Sequence, residues 1–270
     1  MEISREEFEH VLPVATSAYD EVFDKVSSHF ERSESFVLVK FFDGEDSKFL
    51  DNEKTVKLLK VCIILHAFLS VFRQLDLVLT PTGFGVVGND QLTPASKQRV
   101  DALVSSVLWQ MQDAESALLQ HLVHVEGWGG TLAAKQNIVS LVYCQRVLCQ
   151  LMRKDTHDPN YWTDCLQAIR EVDDKIVALI SAGQYEAMLD HVRKGTLKGE
   201  MLEAYAFALK AFGFHILANH DRERQAYRSL IDYLDTHPEA FHNYHSSREY
   251  AVIHYEHEQN TPNSPAFFFG

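Results

Sequence analysis

The segment from Asp51 or Asn52 to about Leu75 constrains the fold most, because its apolar residues cover nearly the whole circumference of a helix. Such a helix must be buried, either by its own fold or by a neighbouring subunit. Its longest apolar run, Val61–Phe72, contains His66 and Ser70 and falls well short of the ~20 residues that span a bilayer. We therefore expect a buried core helix. One face carries Val56, Leu59, Ile63, His66, Ala67 and Ser70. Much of the remaining circumference is covered by Val61, Ile64, Leu65, Phe68 and Phe72.

The same helical spacing of apolar residues recurs along most of the chain, without the alternation of strands and helices that a parallel sheet requires. The segment Ser35–Phe42 is dense in β-branched and aromatic residues, which is compatible with a strand or with a continuing helix. Two further strand-like runs flank Pro81-Thr82-Gly83, where glycine supplies the positive φ of a turn. We predict a mainly α protein, a bundle-like assembly of many helices with one small β-hairpin at about residues 76–88.

The cluster Gly127-Trp128-Gly129-Gly130 is the strongest candidate for a domain boundary. It divides the chain into an N-terminal helical unit, residues 1–126, which carries the hairpin, and a C-terminal helical unit, residues 131–270, which ends in an extended Phe-rich tail. A single domain is the alternative. At the N-terminus, Ser4 followed by Glu7 forms the pattern of a capping box that opens a short helix.

The charge balance argues against a protein that coats nucleic acid. The chain has 25 Lys and Arg against 38 Asp and Glu, a net charge of −13 with neutral histidines. An acidic surface repels phosphate backbones.

The N-terminal residues lack the pattern of a secretory signal peptide, so we expect a reducing compartment. The cysteines lack Cys-x-x-Cys spacing and are expected to be buried free thiols: Cys62, Cys144, Cys149 and Cys165.

Motifs for catalysis or cofactor binding are absent from the sequence. Neither a nucleophile elbow nor a phosphate-binding P-loop appears. Gly83–Gly88 matches G-x-G-x-x-G, but no helix begins at its third glycine, so a hairpin explains the glycines better. The charged residues near Arg224 alternate in sign, with Asp221 and Glu223 among them, which indicates charge pairing along a helix face rather than a nucleic-acid groove. We expect no enzyme, and we assign no catalytic, cofactor-binding or metal-binding residue.

The histidines leave one alternative open. The chain has 14 of them, and several are paired three residues apart, as in His121 and His124. Surface and interface positions explain such pairs in most proteins. A metal site needs three or four converging ligands. A metal-dependent helical enzyme could take them from the histidines of the C-terminal segment, which are His242, His245, His254 and His257.

The C-terminal tail ends in three consecutive phenylalanines, Phe267–Phe269, preceded by two prolines that favour an extended arm. Left in water, the three rings forgo several kcal/mol of burial, at about 1.5–3 kcal/mol each. The tail is a frayed terminus, docks on its own chain, or docks on a neighbouring subunit.

One stretch resembles a known family. Asp76–Val87 reads DLVLTPTGFGVV, and Pro94–Val100 reads PASKQRV. This order of a helix, a hairpin and a second helix start is similar to uncharacterised phage and prophage structural proteins of Bacteroides-type bacteria, of the kind assigned to head–tail connection. The resemblance is specific over about residues 55–110 and vague over the second half of the chain. The family has no catalytic residues to carry over.

The resemblance implies a non-enzymatic virion protein, a head–tail connector or adaptor subunit made in the bacterial host cytoplasm. It implies a homo-oligomeric ring between the portal and tail proteins, with DNA passing through without sequence-specific binding and with no membrane contact. A helical adaptor module that binds a partner helix is the alternative from the residues alone. The candidate contacts with neighbours are Pro81, Gly83, Phe84, Gly85, Phe267, Phe268 and Phe269.

Overall fold

The computed structural model describes residues 1–12, 21–44, 48–72, 77–80, 83–86 and 97–255, with the side chains of 77–80 and 83–86 left out. The chain forms two compact units. Unit 1 comprises Met1–Gln167 together with Val192–Thr196, and unit 2 comprises Ala168–His191 together with Leu197–Gly270.

Unit 1 contains the first seven helices and the beginning of the eighth. Helix α4 is packed by α1, α2, α3 and α5, and α6 packs against α3. The bounds are α1 (Arg5–Val11), α2 (Glu21–Ser27), α3 (Phe30–Phe42), α4 (Glu53–Val71), α5 (Lys97–Leu122), α6 (Leu132–Asn137), α7 (Gln145–Met152) and α8 (Asn160–Ile180), with a 3-10 turn at Trp128–Gly130.

Unit 2 contains residues 168–180 of α8 and most of α9, followed by four further helices. Helices α10 and α11 pack against each other over much of their length. The core of this unit includes Val172 and Ile176 of α8, Phe212 of α10 and Leu230 of α11, which are all fully buried. The bounds are α9 (Ala182–Arg193), α10 (Gly199–Ile216), α11 (His220–Asp235), α12 (His242–His245) and α13 (Arg248–Ile253).

Helix α4 is the buried core helix that the sequence predicts. Asn52 caps it, because its Oδ1 accepts a 3.1 Å hydrogen bond from the Thr55 amide. Ile63, Ile64 and Leu65 are consecutive and point in three different directions around the helix, and each is fully buried. Because helices of unit 1 surround α4, the chain's own fold accounts for this burial.

The predicted capping box at the first helix is confirmed. Ser4 Oγ accepts from the Glu7 amide at 3.2 Å, and the Glu7 carboxylate accepts from the Ser4 amide at 2.8 Å. The segment Ser35–Phe42 forms the second half of α3, so the strand alternative for it is wrong. Val37 and Phe41 turn inward to the core of unit 1, and this packing outweighs the strand preference of their residue types.

The mainly α class is confirmed, since the packed part that the structure describes is helical. Two four-residue strands, β1 (Leu77–Thr80) and β2 (Gly83–Val86), pair antiparallel, with Leu79 opposite Phe84. Residues 73–76, 81–82 and 87–96 lie outside the described ranges. The predicted hairpin at about residues 76–88 is therefore described only in its two paired strands, and as a complete element it stays a prediction.

The predicted boundary segment Gly127–Gly130 lies inside unit 1. Gly127 has a φ of 83°, a left-handed conformation that favours glycine, and the Trp128 side chain beside it is fully buried. Independent folding of the two predicted halves stays a prediction. In the ranges that the structure describes, no helix has both the length and the apolar character needed to cross a membrane.

Candidate assembly surface

The residues predicted to contact neighbouring subunits fall in three places. Gly83, Phe84 and Gly85 belong to β2, where their backbones pair with Thr80, Leu79 and Val78. Pro81 and the tail residues Phe267, Phe268 and Phe269 lie outside the described ranges. The interface role of all seven residues stays a prediction.

Four large apolar side chains that the sequence analysis did not single out are exposed on the pair formed by α3 and α6. They are Phe36 and Val39 on α3, Leu132 at the start of α6, and Val139 just after its end, with exposed fractions between 51% and 65%. Isolated exposed apolar residues are common. Because these four lie on or next to two helices that pack against each other, this helix pair is the candidate for a surface that another protein covers. We call these four residues the assembly surface.

Hydrogen bonds fix this helix pair. The Asn137 side-chain amide donates to the carbonyl of Lys40 at 2.7 Å and to the carbonyl of Ala133 at 2.9 Å. Lys40 follows Val39, and Asn137 precedes Val139 by two residues. The bond therefore brings together the backbone segments that carry two of the four exposed residues.

Helix α3 has apolar residues on both of its sides. Val37 and Phe41 are buried, whereas Phe36 and Val39 are mainly exposed. The Phe36 ring also stacks on the His66 ring, with centroids 4.5 Å apart. The signal in the sequence was the run of apolar residues Phe36–Val39, since one face of a helix cannot bury four consecutive residues.

A cleft of about 240 Å³ lies beside this surface, between α3, α5, α6 and α7 of unit 1. The Lys40 ammonium lies 2.6 Å from the Glu115 carboxylate at its wall. Gln112 and Gln145 also line the cleft, and their Oε1 atoms are buried without a hydrogen-bond partner among the described residues. Unpaired buried acceptors cost free energy until a donor reaches them, so the cleft favours a ligand that carries N–H groups, such as an extended peptide.

The thiol that lines the cleft is not an activated nucleophile. Burial raises the pKa of Cys144, which keeps the thiol protonated at neutral pH, and a thiol reacts through its thiolate. All four cysteines are free. Cys62, Cys144 and Cys165 are buried, as the sequence predicts, whereas Cys149 is only partly buried, so the predicted burial is wrong for this residue.

The C-terminal histidines proposed as an alternative metal site have separate partners. His245 Nε2 lies 2.9 Å from the Leu234 carbonyl oxygen, whereas His254 Nε2 lies 3.1 Å from the Asp235 carboxylate. His242 is exposed, and His257 lies outside the described ranges. Of the N-terminal pair, His121 contacts the Thr55 hydroxyl at 3.0 Å.

Comparison with known proteins gives one match. Residues 15–138 are similar to a family described as "Family of unknown function (DUF6712)". The matched segment runs from before α2 to the end of α6, and it includes Phe36, Val39 and Leu132 of the assembly surface. No curated protein and no solved structure gives a significant match.

Proposed function

We propose that the chain is a non-enzymatic structural subunit of a phage head–tail connector, which assembles with further copies into a ring between portal and tail. The observation that carries the proposal is the assembly surface, four exposed apolar side chains on the α3–α6 pair. Three of the four lie in the segment that matches the family of unknown function. The resemblance to connector proteins at Asp76–Val100 supports the same function.

The energetics indicate that the assembly surface needs additional contacts. Each of its residues is about half exposed, so covering all four contributes roughly 3–6 kcal/mol. Association of two proteins costs about 4–15 kcal/mol in lost rigid-body freedom. Burial of Phe267–Phe269 on a neighbour adds roughly 5–9 kcal/mol. The surface alone matches only the lower part of this cost, whereas the surface and the tail together contribute roughly 8–15 kcal/mol.

The occupant that we propose for the assembly surface and its cleft is the tail of a second copy of this chain. An extended arm presents free backbone N–H groups, which match the unpaired acceptors of Gln112 and Gln145. A tail on one copy that binds a different surface on the next copy makes a head-to-tail contact. Such contacts close into rings when the rotation between subunits permits it.

The charge of the chain is compatible with a channel for DNA. With a net charge of −13, the ring repels phosphates at short range, so DNA passes without tight binding. Like charges on adjacent subunits also oppose assembly at low ionic strength, and physiological salt screens them over about 8 Å.

Electron microscopy of the purified full-length chain, alone and mixed with a portal ring, tests the proposal. We expect ring-shaped class averages with rotational symmetry, either alone or seated on the portal. Single particles of about the monomer mass of 30.9 kDa under both conditions would contradict it and favour the helical adaptor module instead.

A further inference from the structure

A cluster of two histidines and a glutamate lies where α10 gives way to α11 in unit 2. His215 is in the last turn of α10, His220 opens α11, and Glu223 follows one turn later. The connection includes Ala218, whose φ of 53° turns the chain sharply. One ligand atom from each of the three side chains lies within 4.8 Å of the other two.

Glu223 provides a buried negative charge in this cluster. Its side chain is 5% exposed, and its carboxylate contacts His215 Nδ1 at 3.0 Å and His220 Nδ1 at 3.2 Å. The Tyr227 hydroxyl donates to the same carboxylate at 3.1 Å. A carboxylate buried to this extent needs cationic or hydrogen-bonding groups beside it, and the Lys175 ammonium supplies a further contact at 2.8 Å.

A second carboxylate orients His215. Its Nε2 lies 3.1 Å from Glu171 Oε2. When Nε2–H donates to Glu171, the lone pair of Nδ1 faces the Glu223 oxygen, so the nitrogen and the oxygen are both directed at a cation that lies between them. A histidine held by a carboxylate through its other ring nitrogen is typical of metal sites.

The Lys175 ammonium lies near the position that such a cation would take. Its Nζ lies 2.8 Å from Glu223 Oε1 and 3.4 Å from His215 Nδ1. The Lys175 side chain is 46% exposed, so its ammonium can move into solvent without loss of a packed core contact. The cluster thus holds a replaceable monovalent cation between an imidazole nitrogen and a carboxylate.

We propose that His215, His220 and Glu223 form a binding site for a divalent transition metal ion of the Zn²⁺ class, which displaces the Lys175 ammonium. Tetrahedral Zn²⁺ with ligand bonds of about 2.0–2.1 Å places its ligand atoms roughly 3.3 Å apart. His215 Nδ1 lies 3.0 Å from Glu223 Oε1 and His220 Nδ1 lies 3.2 Å from Glu223 Oε2, so each imidazole nitrogen already lies near one oxygen of the carboxylate. Two imidazoles and one carboxylate favour Zn²⁺, Co²⁺ or Ni²⁺ over Mg²⁺ or Ca²⁺.

The bound ion would join α10 to α11, and Glu171 would extend the connection to α8. A ligand that binds only the folded state stabilises it in proportion to the logarithm of its concentration over Kd. The site therefore has a structural role in unit 2 that is independent of the assembly surface in unit 1.

Calorimetric titration of the full-length chain with ZnCl₂, after treatment with a chelator and its removal, tests the proposal. We expect one tight site per chain that excess Mg²⁺ does not block, together with a rise in Tm. His220→Ala removes one proposed ligand and should weaken this site at least about tenfold. The variant should still fold, because the His220 side chain is 72% exposed and its removal leaves the core intact. Lys175→Met should tighten the site by removing the competing ammonium.

His10→Ala is the control, since His10 is an exposed histidine of α1 that belongs to neither histidine cluster, and its removal should leave Zn²⁺ affinity unchanged. Two results would overturn the proposal. One is a wild-type chain without stoichiometric Zn²⁺ binding, and the other is His220→Ala binding Zn²⁺ as tightly as the wild type does.

Discussion

The indole N–H of Trp128 donates a 2.8 Å hydrogen bond to the backbone carbonyl of Phe41, and both side chains are fully buried. Phe41 is the penultimate residue of α3, where carbonyl groups have no partner inside the helix. Asn137 caps the adjacent carbonyl, that of Lys40, in the same way. Two side chains from residues 128–137 therefore close the end of the helix that presents half of the assembly surface.

Replacing Trp128 with Phe should destabilise unit 1 by about 1–3 kcal/mol, because it leaves the buried carbonyl of Phe41 without its donor. Urea denaturation monitored by circular dichroism measures the change. Trp109→Phe is the control, since Trp109 is only partly buried and packs on the His157 ring. Equal losses in the two variants would show that the hydrogen bond contributes nothing.

Gly129→Ala should destabilise the fold by about 1–3 kcal/mol. A Cβ atom at Gly129 would lie 2.4 Å from the carbonyl oxygen of Arg193, so the backbone must move. Arg193 cannot yield easily, because its buried guanidinium donates to the Ile138 carbonyl at 2.9 and 3.0 Å. Gly130→Ala is the matched control, as nothing lies within 4 Å of its Cβ position. The same Tm for both variants would refute this close contact.

The ion pairs of Glu223 should make unit 2 sensitive to acid. The pKa of Glu223 is lowered from 4.5 to about 2 in the folded chain. A lowered pKa adds stability above the unfolded pKa, and this stability is lost as the pH falls from about 4.5 toward 2. In metal-free buffer, the stability advantage of the wild type over Glu223→Gln should therefore shrink across this range.

Denaturant midpoints at pH 7, 5, 3.5 and 2.5 measure that advantage. Glu239→Gln, a change at an exposed carboxylate of the same unit, corrects for general acid effects. An advantage of Glu223 that stays constant over the range would contradict the assignment.

Native thiol labelling should distinguish the cysteines. Burial raises the pKa of Cys62 and of Cys144, and both side chains are almost inaccessible. Iodoacetamide at pH 8, followed by peptide mass spectrometry, should modify Cys149 first and leave Cys62 unmodified. All four should react in denaturant. Modification of Cys62 at the rate of Cys149 in the native chain would contradict its burial.

Patterns local in sequence predicted much of the fold. The capping box of Ser4 and Glu7 and the burial of α4 follow from residues within one helix. The pairing expected along α11 occurs between Arg224 and Asp221, at 2.6 Å. Glu223 of the same helix pairs instead with groups from α8 and α10, and its side chain is buried.

The remaining features depend on contacts between distant residues. His215, His220 and Glu223 match no metal-binding motif, and Lys175 joins them from 48 positions away in the sequence. Which residues of α3 are exposed also could not be determined from the sequence, since a strand and a helix expose different members of Ser35–Phe42. Only the packing of α3 against α4 and α6 decides between the two.

The measurement that tests the central claim most directly is the mass distribution of assembled particles for the double variant Val39→Lys and Val139→Lys. Leu217→Lys is its control, because Leu217 in unit 2 is 65% exposed, as is Val139 in the assembly surface. Mass photometry of each chain in the presence of the portal ring, at fixed concentration and ionic strength and with circular dichroism to verify folding, should find assembled rings for wild type and control but unassembled monomers for the folded double variant. A folded double variant that forms rings as the wild type does would contradict the assembly surface as the contact between subunits.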